Sequence, residues 1–117
     1  VLHESAEKRA IQEMKHAEMH IARILFLEGR PIVSNLKAIH IGEDVPKMYE
    51  NDRMSEQEAI QKYNAAIRLC NEVGDNGTKE MLDSILQDEE DHIDYIEGEQ
   101  DKISQMGLAV YLTTLTK

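Results

Sequence analysis

Apolar residues recur along this chain every three or four positions, the spacing of a helix that buries one face. The spacing predicts three long helices and one short helix, at residues 3–28, 44–73, 75–106 and 108–115. Glycine marks the end of each long pattern, at Gly29, Gly74 and Gly107. These patterns indicate an all-α domain.

The second predicted helix has the clearest start signal. Asp44 is a favoured N-cap residue, and Pro46 follows it inside the first turn. Residues 55–58 imitate a capping box within this helix. Because the apolar period continues through them, we expect the helix to run unbroken to Val73.

Connection lengths predict the topology. Residues 74–77 join the second and third helices, which must therefore be antiparallel neighbours. Residues 29–43 join the first and second helices and can span ~50 Å, more than the ~40 Å length of a 26-residue helix. We therefore expect this linker to return along the bundle and leave those two helices parallel. One long crossover among short connections is the ferritin-like arrangement of a four-helix bundle. A loop without packing is the alternative. The apolar residues of the linker argue against it: Ile32, Val33, Leu36, Ile39 and Ile41.

Size, charge and cysteine content restrict the function. The 117 residues make one domain, 1–117, and the net charge of −10 argues against nucleic-acid binding. The single Cys70 excludes an internal disulfide and fits a reducing cytoplasm. No run of apolar residues is long enough for a membrane span.

A four-residue pattern with candidate chemistry occurs twice, as Glu13-Met14-Lys15-His16 and Glu89-Glu90-Asp91-His92. Each pattern puts a carboxylate and an imidazole three residues apart, on one face of a helix. Glu89 and His92 interrupt the apolar stripe of the third helix, where an uncompensated carboxylate costs several kcal/mol. Glu56 lies in the stripe of the second helix.

Each motif alone is more often an ordinary feature of an acidic helix. Two such motifs on separate helices, with a third inward glutamate, favour a site for two iron or manganese ions. His20 and His40 we assign to the surface or to packing, and His3 stays ambiguous.

The segments around these motifs resemble the bacterioferritins, and the resemblance runs through nearly the whole chain. They are Glu13–Glu18, Ile24–Gly29, Ile41–Glu43, Glu72–Asp75 and Ser84–Asp94. The resemblance implies a cytoplasmic iron-storage protein with a di-iron ferroxidase centre in each subunit. It also implies a 24-subunit homo-oligomeric cage, built from two-fold dimers that bind haem b.

The resemblance also implies roles for individual residues. By position, Glu13 and Glu89 would bridge the two irons, His16 and His92 would each bind one iron, and Glu56 would be a terminal ligand. Met14 matches the methionine that binds haem axially together with its copy in a second subunit.

Two features depart from the family pattern. Bacterioferritins begin with a further long helix that supplies a second terminal glutamate, and no segment of this chain corresponds to it. We expect that helix from an N-terminal segment of the same gene or from a separate chain. Lys8 and Gln12 occupy the positions where some members carry the histidine and aspartate of an inner-surface iron site.

The resulting prediction is oxidation of Fe(II) by O₂ or H₂O₂, storage of Fe(III), and reduction by a ferredoxin-type partner. A rubrerythrin-like di-iron peroxidase is an alternative, although a single cysteine argues against the Cys-rich module such enzymes add. A haem-binding cage subunit without catalysis is the second alternative.

Overall fold

The computed structural model describes residues 2–32 and 44–115, which form four helices and, within those ranges, no strand. The helices are α1 (Leu2–Phe26), α2 (Val45–Val73), α3 (Asn76–Met106) and α4 (Leu108–Thr114). The prediction of an all-α fold is therefore confirmed. Residues 33–43 of the predicted crossover, including His40, lie outside the described part of the chain, as does the side chain of His3.

The chain divides into two compact units. One, the α1 unit, contains α1. The other, the hairpin unit, contains α2, α3 and α4 as far as Leu112. The parallel arrangement of the first two helices stays a prediction.

The boundaries of α2 and α3 follow from their capping residues. Asp44 Oδ1 accepts a 2.9 Å hydrogen bond from the backbone N–H of Lys47. Gly74 ends α2 in the left-handed conformation, with φ 75°, which glycine adopts without steric cost. Asp75 then caps α3, accepting from the Thr78 backbone N–H at 3.1 Å. As predicted, α2 continues through residues 55–58.

The end of α1 differs from the prediction. The helix stops at Phe26, and Glu28 rather than Gly29 takes the left-handed conformation, with φ 65°. Glu28 N–H donates to Leu25 O at 3.0 Å and Gly29 N–H to Ile24 O at 2.8 Å, the two bonds of a Schellman motif. Glycine suits position 29 because the backbone there lies close to Ile24. A Cβ at that position would lie 3.0 Å from Ile24 Cγ2.

The hairpin unit is held by an antiparallel contact between α2 and α3. Near its open end, Gln100 Nε2 donates a 3.0 Å hydrogen bond to Glu50 Oε2. The buried residues on the two helices recur at spacings of three, four, seven and fourteen, as in other helix pairs that share one core. On α2 and α3 they are Tyr49, Glu56, Cys70, Leu82, Ile85, Glu89, Ile96 and Glu99.

None of the helices in the described part of the chain is both long and apolar enough to cross a membrane.

Candidate metal centre

The α1 unit carries the first of the two paired motifs. His16 is buried, with 4% of its surface exposed. Glu13, one turn earlier on the same face, has a side chain that is 50% exposed and forms an ion pair with Arg9. Arg9 Nη1 also donates to Gln12 Oε1 at 2.6 Å. The histidine therefore has the predicted inward position, whereas the carboxylate lies at the edge of that face, within reach of solvent.

The hairpin unit carries the other three predicted ligands. Glu56 on α2 is 7% exposed and Glu89 on α3 is 3% exposed. His92, one turn after Glu89, is half-buried. Two carboxylates in the core of one helix pair are costly unless hydrogen bonds or a cation compensate their charge. A divalent metal ion is the compensation that this set of oxygen and nitrogen donors fits.

The pairing of Glu50 with Gln100 fixes the relative heights of these three ligands. Glu56 lies six residues after Glu50, and His92 lies eight residues before Gln100. The two side chains therefore start ~3 Å apart along the helix axes, at 1.5 Å per residue. By the same measure, Glu89 starts ~7.5 Å from the height of Glu56. Long carboxylate side chains can close such a difference.

An aromatic ring supports His92. The rings of His92 and Tyr95 stack with 6.4 Å between centroids and 19° between planes. Tyr95 is one turn further along α3, so the helix itself brings the two rings together. This contact limits the orientations that the imidazole can adopt.

A hydrogen-bonded network of Tyr49, Tyr111 and Glu99 lies in the same unit, and sequence analysis missed it. Tyr111 O–H donates to Glu99 Oε2 at 2.6 Å, and the hydroxyls of Tyr111 and Tyr49 are 2.8 Å apart. Lys102 Nζ donates to Glu99 Oε1 at 2.9 Å. In the sequence, Tyr49 is simply one of the apolar positions that recur along the second predicted helix. The seven-residue spacings of Tyr49 from Glu56 and of Glu99 from His92 place Tyr49 and Glu99 on the faces of the predicted ligands, but no spacing in the sequence connects them to Tyr111.

The network shifts the pKa values of its members. Burial raises the pKa of Tyr49. Burial, followed by the hydrogen bond to Glu99, raises that of Tyr111 well above its usual range. Burial opposes ionisation of Glu99, but hydrogen bonds from Tyr111 and Lys102 outweigh it, so the pKa of Glu99 lies below its ordinary value. Glu99 is therefore a buried carboxylate in its charged form.

Met14 lies on another side of α1 from the paired motif. It is two residues from His16, which on a helix places the two side chains on nearly opposite faces. Met14 is 64% exposed, and its neighbour Ile11 is also exposed. His20, one turn after His16, is half-buried; burial, and then the charge of His16, lowers the pKa of His20. The assignment of His20 to packing or surface stays an interpretation.

The structure thus places Glu56, Glu89 and His92 in the hairpin unit, with both glutamates buried, and Glu13 and His16 one turn apart on α1. The full set of five ligands stays a prediction.

Comparison with known proteins identifies similar sequences along most of the chain. A family model described as ferritin-like domain matches residues 1–106. A bacterioferritin from Rhodobacter capsulatus is 38% identical over 108 residues, covering 90% of this chain and 67% of that protein. One from Streptomyces coelicolor is 37% identical over 106 residues, covering 91% and 64%. One from Brucella melitensis is 35% identical over 100 residues, covering 86% and 62%. The chain spans about two thirds of the length of these relatives.

Proposed function

Because this chain belongs to the bacterioferritins, within the ferritin-like proteins, we propose that it stores iron by oxidising Fe(II) at a two-iron centre. Fe(III) then passes into a cage built from copies of the subunit. The observation that carries this proposal is the burial of Glu56 and Glu89 in one helix pair, with His92 at nearly the height of Glu56.

The proposed ligand set joins these three residues to Glu13 and His16. In it, Glu13 and Glu89 would be shared by the two irons, each histidine would bind one iron, and Glu56 would bind one iron as a terminal ligand. Three carboxylates offset much of the charge of two Fe(II) ions, and hard oxygen donors favour Fe(III) after oxidation. We propose that a further helix, in cis or in trans, supplies a second terminal glutamate. The exposed residues Ala10, Ala17 and Ile24 form a small-residue and apolar line on α1 that suits such a helix.

The proposed reaction requires an electron acceptor. Two Fe(II) ions give one electron each. O₂ takes both electrons and two protons from water to become H₂O₂, or H₂O₂ takes both electrons to become two hydroxide ions. The role of the protein is to hold both metal ions at one place. Glu13, half-exposed and next to Arg9, is the ligand best placed to admit Fe(II) from solvent.

We propose that Met14 binds haem b together with its copy across a two-fold contact. Its exposure, away from the face of His16, fits an axial ligand supplied to a second subunit. Ile11 and the half-buried Ile21 would line the pocket. Bound haem would carry electrons from a ferredoxin-type reductant towards stored iron.

The family and the single Cys70 support a cytoplasmic location. The charge of −10 makes iron ions more suitable partners than nucleic acid.

Stepwise addition of Fe(II) in air, followed by ferric absorbance, tests the proposal. We expect uptake over many equivalents per chain, fast at first in the unaltered protein and slow in Glu89→Ala. Glu90→Ala is the matched control, since Glu90 is exposed and adjacent. Equal rates in the two variants would contradict the assigned site. A reaction that stops once the sites are filled would favour the non-catalytic alternative, and peroxide consumption without a ferric mineral would favour a peroxidase.

A further inference from the structure

We propose that Tyr49 is a redox-active side chain that gives one electron to peroxide when a single Fe(II) occupies the centre. This inference rests on the proposed ferroxidase function. It concerns a condition that the two-iron reaction does not cover, because one Fe(II) supplies only one of the two electrons that H₂O₂ accepts. Without a second donor, the product is a hydroxyl radical.

The position of Tyr49 suits transfer of an electron to the centre. Tyr49 lies seven residues before Glu56, or ~10.5 Å along α2. Because seven residues make about two turns, both side chains lie on nearly the same face of the helix. Electrons cross such distances within proteins. Tyr95 stacks on His92 and is also a neighbour of the Tyr49 phenol. Aromatic rings therefore lead from a proposed iron ligand to Tyr49.

The direction of the hydrogen bonds can be assigned from the number of donors. A tyrosine hydroxyl has a single proton, and that of Tyr111 is donated to Glu99 Oε2 at 2.6 Å. With that proton committed to Glu99, we infer that Tyr49 is the donor in the 2.8 Å contact between the two hydroxyls. The chain of donation runs from Tyr49 to Tyr111 to the carboxylate.

This order provides a destination for the phenol proton. Loss of an electron makes a tyrosine hydroxyl a strong acid, so oxidation is easiest where the proton can leave at the same time. The Tyr49 proton can move to Tyr111 while the Tyr111 proton moves to Glu99, each across one hydrogen bond. Lys102 Nζ, 2.9 Å from the other oxygen of Glu99, keeps this carboxylate ionised beforehand.

Burial keeps the oxidised form from side reactions. Tyr49 is 6% exposed, Tyr111 is fully buried, and Glu99 is 9% exposed. Tyr95, by contrast, is 41% exposed. A radical on Tyr49 is therefore shielded from solutes, whereas one on Tyr95 would be open to them.

The proposed step balances. Fe(II), H₂O₂, the Tyr49 phenol and the Glu99 carboxylate give Fe(III), two hydroxide ions, a neutral Tyr49 radical and protonated Glu99. The O–O bond breaks; one electron comes from Fe(II) and the other from Tyr49. A later Fe(II) reduces the radical, and the proton returns from Glu99 through Tyr111.

Electron paramagnetic resonance of the full protein tests this inference. The protein is loaded with one Fe(II) per chain without oxygen, mixed with H₂O₂ and frozen at increasing times. We expect a transient tyrosyl signal that falls to background in Tyr49→Phe and forms more slowly in Glu99→Gln and Tyr111→Phe. A spin trap should capture more hydroxyl radical in Tyr49→Phe.

The control is Tyr63→Phe, because Tyr63 lies one heptad on the other side of Glu56, on the same helix. It should keep the full signal. A signal of undiminished size in Tyr49→Phe, or its loss in Tyr63→Phe alone, would overturn the assignment. Iron oxidation by the unaltered protein with no tyrosyl signal would overturn this inference only. Absence of any Fe(II) oxidation would overturn the proposed function with it. Should Tyr49→Phe fail to fold, ring-deuterated tyrosine in the unaltered protein and in Glu99→Gln still reports whether a radical forms and whether it depends on Glu99.

Discussion

Gln100 donates a 3.0 Å hydrogen bond to Glu50, and this contact joins the first turns of α2 to the last turns of α3. Arg53 holds the same carboxylate from its own helix, at 2.7 Å and 3.1 Å. The Arg53 bonds first, and the Gln100 bond second, lower the pKa of Glu50 from 4.5 to about 2.

This shift predicts part of the acid sensitivity of the fold. A carboxyl whose pKa is lower in the folded state adds stability above its unfolded value of 4.5, and that contribution disappears as the pH falls towards about 2. Glu50→Gln should therefore lower the unfolding free energy at neutral pH and approach the unaltered protein in acid. Urea unfolding at a series of pH values measures the difference. Because the side chain is half-exposed, the effect is reduced by solvent screening.

Glu58→Gln is the control for this experiment, since Glu58 is exposed on the same helix. It should leave the pH dependence nearly unchanged. A gap between Glu50→Gln and the unaltered protein that stays constant over the whole pH range would show that the carboxyl does not titrate as described.

The tyrosine network predicts that two similar substitutions lower the unfolding free energy by different amounts. Tyr111→Phe removes a donor from the buried Glu99 and an acceptor from Tyr49, which should cost about 1–3 kcal/mol. Tyr49→Phe leaves the Tyr111–Glu99 bond intact and should cost about 0.5–1.5 kcal/mol. Chemical unfolding of both variants measures the order. A larger cost for Tyr49→Phe would mean that the donors are arranged differently.

The turn after α1 predicts that two neighbouring substitutions have opposite effects on stability. Glu28→Gly should stabilise the protein by up to about 1 kcal/mol, because φ 65° is a left-handed conformation that costs little for glycine. Gly29→Ala should destabilise it, since the new Cβ would lie 3.0 Å from Ile24 Cγ2 and 3.3 Å from Ile24 O. Thermal unfolding of the two variants is the measurement. Stabilisation by Gly29→Ala would contradict the tight contact with Ile24.

The helices could be predicted well from the sequence because their signals are local. Asp44 and Gly74 act within one turn of the chain, and each has the predicted role. Asp75 caps α3 at the residue where the third predicted helix begins. The end of α1 was predicted less well, because a glycine at position 29 can serve either of two roles. It can adopt a left-handed backbone, or it can leave room for a neighbouring side chain. Only the backbone shows that Glu28 carries the left-handed turn while Gly29 makes room for Ile24.

The candidate site was predictable where polar residues interrupt an apolar stripe, as Glu56 and Glu89 do. The network of Tyr49, Tyr111 and Glu99 was not predictable in this way. A tyrosine suits an apolar stripe whether or not its hydroxyl is used. Tyr111 lies twelve residues from Glu99, on a separate helix after Gly107, so no helical spacing connects these two residues. Long-range hydrogen bonds of this kind depend on packing rather than on a sequence motif.

The exposed position of Met14 predicts a haem phenotype separate from iron chemistry. Met14→Leu keeps the size and apolar character of the side chain but removes the sulfur ligand. The haem absorbance of the assembled protein should disappear, while the initial rate of Fe(II) oxidation changes little. The matched control is Met54→Leu, since Met54 is also an exposed methionine and lies on α2. Persistent haem absorbance in Met14→Leu would contradict the axial assignment.

Metal stoichiometry tests the central claim most directly. Co(II), which substitutes for Fe(II) without being oxidised by air, reports its coordination by visible absorbance during a titration of the full protein. We expect two ions to bind per chain with shared ligands, and tight binding to fall to one ion or none in Glu89→Ala and in His16→Ala. Glu90→Ala should bind as the unaltered protein does. Two tightly bound ions in Glu89→Ala, or none in the unaltered protein, would contradict the claim that these residues form a two-iron centre.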